Sequence, residues 1–104
     1  LGITSVAYRT DLLPNYPNPF NPETWIPFSL AEASEVTIHI YGVQGRLVRS
    51  IDLGRTEAGE YTSRGRAAYW DGRNDFGERV ASGVYFYRLE AGTYTAMRRM
   101  LIIK

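Results

Sequence analysis

Apolar and polar residues alternate along much of this chain with a period of two, which is the spacing of a β-strand that buries one face. The cleanest example is the segment 35–41, where valine and isoleucine alternate with polar or aromatic residues. Residues 24–30 alternate in the same way and predict the first main strand. Pro27 has no N–H to donate, so we expect this strand at the edge of a sheet, or with the missing N–H on the solvent side.

Further strands are predicted at residues 46–53, 67–70, 84–90 and 95–103, with turn residues between them. Residues 84–90 are apolar on both faces, which indicates a central strand. No segment shows a helical period. The pattern therefore predicts an all-β fold, an antiparallel β-sandwich of about seven short strands. The large residues expected in its core are Trp70, Tyr85, Tyr87 and Leu89.

All five prolines of the chain fall within residues 14–27. Proline fixes φ and pushes the preceding residue toward extended geometry, so we expect a stiff, extended segment that is not helical. We predict that residues 1–12 are a linker or upstream connection and that the folded domain comprises residues 13–104. The motif at this junction consists of Pro17, Asn18, Pro19 and Phe20.

The composition narrows the classes of function. Hydrophobic residues make up 44% of the 104 residues, which is enough for one packed core. The chain has no cysteine, which excludes disulfides, thiolate metal sites and cysteine nucleophiles. A net charge of +1 offers no basis for nucleic-acid binding, and no apolar run approaches the roughly 20 residues of a membrane-spanning helix.

Arginine supplies 11 of the 12 basic residues, and Lys104 is the only lysine. Guanidinium groups stack on aromatic rings, so we expect surface arginines packed over tyrosines. The alternative is that these arginines form a site for an acidic partner.

Trp25, Tyr61 and Tyr94 would form a sugar-stacking platform if exposed, although aromatic residues of small β-sandwiches more often lie in the core or in cross-strand pairs.

One loop carries a candidate metal site. Its oxygen-bearing side chains, of the kind that Ca²⁺ prefers, are Asp71, Asn74, Asp75 and Glu78. The spacing of an EF-hand is absent, and the favoured interpretation is a turn in which Asp and Asn side chains bond nearby N–H groups. We therefore predict no cofactor, with Ca²⁺ as the alternative.

His39 is the only histidine, and it lies opposite the apolar face of its predicted strand. A catalytic triad would require a serine and a carboxylate beside it, and nothing in the spacing indicates them, so we predict a solvent-facing histidine and no enzyme.

The last strand lacks a preferred inward face, since Met100 and Ile102 alternate with Leu101 and Ile103. We expect it at a sheet edge, where unpaired backbone invites pairing with another chain. Its candidate recognition residues are Arg98, Arg99, Met100, Leu101, Ile102, Ile103 and Lys104.

Several blocks of this sequence resemble one protein family. The blocks are Tyr16-Pro17-Asn18-Pro19-Phe20-Asn21-Pro22-Glu23-Thr24, Ile26-Pro27-Phe28-Ser29-Leu30, Val36-Thr37-Ile38-His39-Ile40-Tyr41, Gly45-Arg46-Leu47-Val48, Ala58-Gly59, Trp70-Asp71-Gly72-Arg73, Gly77, Val80-Ala81-Ser82-Gly83-Val84-Tyr85-Phe86-Tyr87-Arg88-Leu89 and Arg98-Arg99-Met100-Leu101-Ile102-Ile103-Lys104. Together they are similar to the C-terminal sorting domains of the type IX (Por) secretion system, over roughly residues 13–104. The later part is also similar to the immunoglobulin-like domain of flagellar hook-capping proteins.

The resemblance implies an immunoglobulin-like β-sandwich at the C-terminus of a larger secreted bacterial protein. It implies a non-catalytic module that directs export by way of the periplasm and attachment to the cell surface. The expected partners are outer-membrane secretion and attachment machinery and the upstream passenger domains, and the last strand becomes the favoured recognition segment. An extracellular carbohydrate- or protein-binding accessory module, or an assembly domain of the hook-capping type, is the alternative. Residues 59–70 are longer than is usual in the family, which indicates an extra loop at 63–67.

Overall fold

The computed structural model describes residues 7–104, in which the chain forms nine β-strands and no helix. Part of the predicted linker, residues 1–6, lies outside the described residues. Nothing in the described part is a helix long and apolar enough to span a membrane. The strands are β1 (Asp11–Leu12), β2 (Thr24–Ile26), β3 (Phe28–Leu30), β4 (Ser34–Gly42), β5 (Leu47–Thr56), β6 (Gly59–Tyr61), β7 (Ala68–Trp70), β8 (Gly83–Ala91) and β9 (Tyr94–Ile102).

The four long strands form one sheet, and the short strands form the opposing layer. The long strands have the order β5-β4-β8-β9, and every neighbouring pair is antiparallel. The short strands form a three-stranded sheet, β1-β3-β6, and a two-stranded sheet, β2-β7, both antiparallel. Buried apolar residues from both layers join in one core, so the predicted antiparallel β-sandwich is confirmed. The central position predicted for residues 84–90 is confirmed as well, because β8 lies between β4 and β9.

The alternation of the sequence matches the burial of side chains in the long strands. In β4, Val36, Ile38 and Ile40 are fully buried, as the period of two predicts. Trp70 and Tyr87 are the largest fully buried side chains, and Tyr85 and Leu89 are also buried, which confirms all four predicted core residues. In β9, Met100 and Ile102 are buried and Leu101 is only partly buried, so the core selects the inward face that the sequence left open.

Pro27 divides the strand that the sequence predicts at residues 24–30. Strand β2 pairs with β7, whereas β3 pairs with β1 and β6, so the two halves belong to different sheets. The predicted edge strand is therefore wrong in detail: the missing N–H of Pro27 lies where the chain changes sheets. The inward face continues through this break. The buried residues of that face are Thr24, Ile26, Phe28 and Leu30.

Two further predictions differ from the structure. The strand predicted at residues 46–53 is longer in the structure, because β5 continues to Thr56, and β6 begins soon after it at Gly59. A register shift near Gly54, where φ is +68°, lets β5 continue beyond the predicted end. The domain boundary at residue 13 stays a prediction, but β1 precedes it, and the side chain of Leu12 lies in the core.

The proline-rich segment bends back instead of running extended as predicted. The backbones of Tyr16 and Trp25 exchange two hydrogen bonds, at 2.9 and 2.8 Å, so the chain between them reverses direction. The peptide bonds before Pro17, Pro19 and Pro22 are cis. The segment thus forms a compact turn along the side of the sandwich, where it contacts the last strand.

Candidate functional site

Two segments that are far apart in the sequence form one surface, which we call the terminal edge: residues 18–20 and 101–103. The N–H of Phe20 donates to the carbonyl oxygen of Leu101 at 3.0 Å, and the N–H of Ile103 donates to the carbonyl oxygen of Phe20 at 3.0 Å. The N–H of Leu101 donates to Oδ1 of Asn18 at 3.0 Å. The predicted junction motif and the predicted recognition strand are therefore parts of a single site, in which the end of β9 is paired within the molecule.

Phe20 anchors the terminal edge in the core. Its side chain is 1% exposed and packs edge-on against Trp70, with ring centroids 5.7 Å apart. Trp70 packs in turn against Tyr85 at 5.8 Å. On its other side, the chain that follows Phe20 passes very close to Gly72: a Cβ at residue 72 would lie 2.5 Å from the carbonyl oxygen of Pro22. The backbone at residue 72 thus requires glycine, with φ at +77°.

The predicted recognition residues separate into a buried and an accessible group. Met100 and Ile102 belong to the core and hold β9 to the sandwich. Nε of Arg98 donates to the carbonyl oxygen of Leu12 at 2.7 Å, so this side chain fastens β1 to β9. The side chains that a partner can contact are Arg99, Leu101 (in part), Ile103 and Lys104. Ile103 is 48% exposed, which is high for an isoleucine.

A groove of about 360 Å³ lies beside the terminal edge. Its walls come from both segments and from the first residues of β8. The lining residues are Asn18, Pro19, Val84, Arg99, Met100 and Leu101. Arg99 is the one charged residue in this lining, so the groove is an apolar surface with a cationic rim.

Tyr87 fastens the N-terminal segment to the central strand. Its hydroxyl donates to the carbonyl oxygen of Leu13 at 2.8 Å and accepts the N–H of Asn15 at 2.9 Å. Burial raises the pKa of Tyr87 to about 12, although the bond from Asn15 and the charge of Arg98 act against it. The sequence analysis placed Tyr87 in the core but missed this polar role.

Asn15 is a second contact that the sequence analysis missed. It is 4% exposed, and its Nδ2 donates to Oγ1 of Thr24 at 3.0 Å and to the carbonyl oxygen of Pro17 at 3.3 Å. Thr24 Oγ1 donates to the same carbonyl oxygen at 3.0 Å. These bonds hold the bend that carries the junction motif. The available signal was an asparagine within a proline-rich run, because such residues bond the backbone of tight turns.

The candidate metal residues form the turn that the favoured interpretation predicts. Oδ1 of Asn74 accepts the N–H groups of Phe76 and Glu78, at 2.9 and 3.0 Å, and Nδ2 of Asn74 donates to Oε1 of Glu78 at 3.0 Å. Oδ1 of Asp71 accepts the N–H of Arg73 at 3.0 Å. Within residues 7–104 no group of three or more metal-binding side chains of the His, Cys, Asp or Glu type occurs.

Arg49 supplies the positive charge of this turn. Its Nη1 lies 3.1 Å from Oδ1 of Asp71, and its Nε lies 3.7 Å from Oδ1 of Asp75. Nη1 also donates to the carbonyl oxygen of Arg73 at 3.1 Å. Oδ1 of Asp75 accepts the N–H of Ser50 at 3.1 Å as well, so the turn is fastened to β5. The guanidinium of Arg49 therefore lies beside two carboxylates of this turn.

The residues of the suggested sugar platform are not brought together in one surface. Trp25, Tyr61 and Tyr94 belong to three different sheets. The guanidinium of Arg64 lies 4.3 Å from the ring centroid of Trp25, and that of Arg66 lies 4.5 Å from the ring centroid of Tyr61. Arginine stacking over tyrosine is thus confirmed for Arg66. Both arginines come from the extra loop at 63–67, which covers these aromatic faces.

The surroundings of His39 differ from the prediction. The sequence indicated no serine or carboxylate near it, but Nδ1 of His39 lies 3.2 Å from Oγ of Ser50, and Nε2 lies 3.5 Å from Oε1 of Glu90. The three residues lie on adjacent strands β5, β4 and β8, where cross-strand neighbours meet. Glu90 also pairs with Arg88 at 3.1 Å. None of these three residues is part of the lining of the groove at the terminal edge, and all three lie on the outward face of the sheet.

Comparison with known proteins adds a family and a set of structures. A family model described as the FlgD Ig-like domain matches residues 24–95, which is more than half of the chain. Comparison with curated protein sequences gave no match. Solved structures with similar folds include three that are each less than 25% identical to this chain.

Two of these structures come from Porphyromonas gingivalis. Dimeric latent PorU has 20% identity and a TM-score of 0.66, over 98% of this chain and 10% of PorU. PorZ, an essential surface component of the type-IX secretion system, has 23% identity and a TM-score of 0.57, over 89% of this chain and 11% of PorZ. This chain therefore spans about a tenth of each of these proteins.

The third structure is FlgD from P. aeruginosa. It has 19% identity and a TM-score of 0.61, over 94% of this chain and 77% of that one. The three structures thus share the fold of this chain, and in two of them that fold accounts for a small part of a much longer protein.

Proposed function

Because this chain belongs to the FlgD Ig-like domain family, we propose that it is a non-catalytic module that directs the export of a larger secreted bacterial protein and its attachment to the cell surface. The observation that carries this proposal is the terminal edge. The groove there takes its walls from both the junction motif and the last strand, the two segments whose sequences resemble sorting domains. The fold shared with PorU and PorZ supports the same role.

The proposed sorting signal is a folded surface, not an unfolded peptide. Phe20 and Asn18 fix the backbone of Leu101 and Ile103, so Arg99, Ile103 and Lys104 are presented together on an ordered edge. A receptor in the outer-membrane machinery would contact these cationic and apolar side chains without unfolding the strand. An ordered surface loses little conformational entropy on binding, which favours recognition.

The passenger would lie at the opposite end of the module. Thr10 accepts the N–H of Ala31 through its hydroxyl, so the described chain begins beside the start of β4. The terminal edge lies at the other end of the long strands, about 27 Å away, since a strand of nine residues spans eight rises of ~3.4 Å. A passenger that precedes residue 7 would therefore leave the terminal edge accessible.

A reporter fusion tests this role in a host that has a type IX secretion machine. The reporter carries a signal peptide and is followed by the whole 104-residue chain. We expect the fusion to reach the surface or the medium. We expect the double variant Arg99→Ser, Ile103→Ser to remain in the periplasm. The matched control is Arg55→Ser, Leu53→Ser, which replaces an arginine and an aliphatic residue on β5 and should be exported.

Each outcome of this experiment has one meaning, provided that melting curves show all three modules folded. Export of the parent and the control but not of the terminal-edge variant supports the proposal. If all three fusions stay in the periplasm, the export role is wrong. If the terminal-edge variant is exported as well as the control, export does not depend on this surface.

A further inference from the structure

A second surface lies at the same end of the sandwich and is not explained by the proposed export role. It surrounds a groove of about 430 Å³ between the β4–β5 turn, residues 74–76 and the start of β8. We call it the distal groove, and define it by its three exposed apolar residues. Phe76 is 87% exposed, Val43 is 68% exposed and Leu47 is 47% exposed. Single exposed apolar side chains are common, but three around one groove indicate an interaction site.

The distal groove is built on ordered backbone. Asn74 Oδ1 accepts the N–H of Phe76, and the N–H of Asp75 donates to the carbonyl oxygen of Val48 at 3.0 Å. On the other side, Gly45 at φ +81° closes the β4–β5 turn through a 3.0 Å bond to the carbonyl oxygen of Gly42. Both elements that carry the exposed side chains are therefore fixed. A backbone held in this way needs little ordering when a partner binds.

The charge around this surface selects the chemistry of the partner. Arg46 is the one charged residue that lines the distal groove. A second groove of about 390 Å³ shares Val43, and Arg88 is the one charged residue in its lining. No carboxylate among residues 7–104 lies within 4.0 Å of the guanidinium groups of Arg46, Arg79 or Arg99.

The acidic residues at this end have partners within the fold. Asp71 and Asp75 bond to Arg49, and Glu78 accepts a hydrogen bond from Asn74. The lining of the distal groove therefore combines exposed apolar side chains with Arg46 and contains no carboxylate. Opposite charge on the partner would speed association and favour the correct partner over neutral ones.

We propose that the distal groove binds an acidic segment of a partner protein, whose large apolar side chains pack against Phe76, Val43 and Leu47 while its carboxylates pair with Arg46. Phenylalanine and arginine are enriched in protein interfaces. This inference goes beyond the export role, since it concerns residues outside the terminal edge and is tested in solution.

Selection of peptides on the intact 104-residue chain tests the inference. A display library of random twelve-residue peptides is selected for binding, and the affinities of the selected peptides are measured by fluorescence anisotropy. We expect selected sequences that combine aspartate or glutamate with leucine, phenylalanine or tryptophan. Their affinity should fall as salt rises, because part of the attraction is between opposite charges.

Two matched pairs of variants locate the binding surface. Leu47→Ser should weaken binding by about tenfold, whereas Leu53→Ser, at the other end of the same strand, should leave it within about twofold. Arg46→Ser should weaken binding and reduce its salt dependence, whereas Arg55→Ser should not. Phe76→Ser should weaken binding by about tenfold or more, and its exposure means that the fold should survive.

Several results would overturn the inference. These are a selection that yields no binders, binders that are basic or uncharged, and acidic binders that keep their affinity for the Phe76 and Leu47 variants. A second copy of the chain is the other candidate occupant. Sedimentation that shows a dimer of the parent, dissociated by Phe76→Ser, would assign the groove to self-association and reject the acidic segment.

Discussion

Tyr87 shows how one side chain serves both the core and the position of the segment that leads to the terminal edge. Its ring is fully buried in the central strand, and its hydroxyl bonds to the backbone of Leu13 and Asn15. Those residues lead directly into the bend that carries Phe20. Asn15, Thr24 and Tyr87 together fix the path of the chain before the terminal edge, although the sequence marked none of them as functional.

Removal of the Tyr87 hydroxyl should destabilise the fold. In Tyr87→Phe the buried carbonyl oxygen of Leu13 and N–H of Asn15 lose their partner, which should lower the free energy of unfolding by about 1–3 kcal/mol. Denaturant unfolding at pH 7 measures the change, with Tyr94→Phe, at the margin of the core, as a control. A loss for Tyr87→Phe no larger than that of the control would contradict the role given to these bonds.

The raised pKa of Tyr87 also predicts how its contribution to stability depends on pH. Because burial raises it to about 12, above the ordinary value of 10.0, the folded state favours the neutral hydroxyl. The contribution of the neutral hydroxyl to the free energy of unfolding is complete below pH 10 and declines as pH rises from 10 to 12. The stability advantage of the parent over Tyr87→Phe should therefore shrink across that interval.

The turn at 71–78 illustrates how an element satisfies its own polar groups. Its side chains bond to its own N–H groups and to Arg49, and its backbone bonds to β5. The sequence indicated the type of structure, since Asp, Asn and Gly are dense there. Arg49 could not be identified in the same way, because it lies 22 residues before Asp71 and meets it only through the sheet.

Chelation should leave the stability of this element unchanged. Arg49 already provides the positive charge beside Asp71 and Asp75, so we expect the same melting temperature with EDTA and with added Ca²⁺. Arg49→Ser should lower the free energy of unfolding by up to about 1 kcal/mol, since both partners are partly exposed. A melting temperature that falls in EDTA and recovers with Ca²⁺ would instead establish a metal site.

The whole molecule has two unlike ends. The described chain begins at one end, beside the start of β4, and the terminal edge and the distal groove lie at the other. Strand β1 reaches from the first end along β9, where Nε of Arg98 donates to the carbonyl oxygen of Leu12. The segment assigned to a linker thus contributes structure to the module.

Shortening the chain tests where the module begins. A fragment of residues 13–104 lacks β1 and the buried side chain of Leu12, whereas residues 7–104 retain both. We expect the shorter fragment to be less stable by roughly 2–5 kcal/mol, which is the cost of losing a buried leucine side chain. Denaturant unfolding of the two fragments measures the difference. Equal stabilities would restore the boundary at residue 13.

The sequence by itself determined the class of fold and the inward faces of β2, β3 and β4, because a period of two assigns alternate side chains to opposite faces of a strand whatever its neighbours are. Only the tertiary structure decided the inward face of β9. Met100 and Leu101 are both apolar, and packing against the rest of the core determines that Met100 is the one that is buried. The tertiary structure alone brought Phe20 to Ile102 and Ser50 to His39, since contacts between distant segments depend on the order of strands in the sheets. Both candidate surfaces are of this second kind, because each combines short stretches that carry little signal until the sandwich places them side by side.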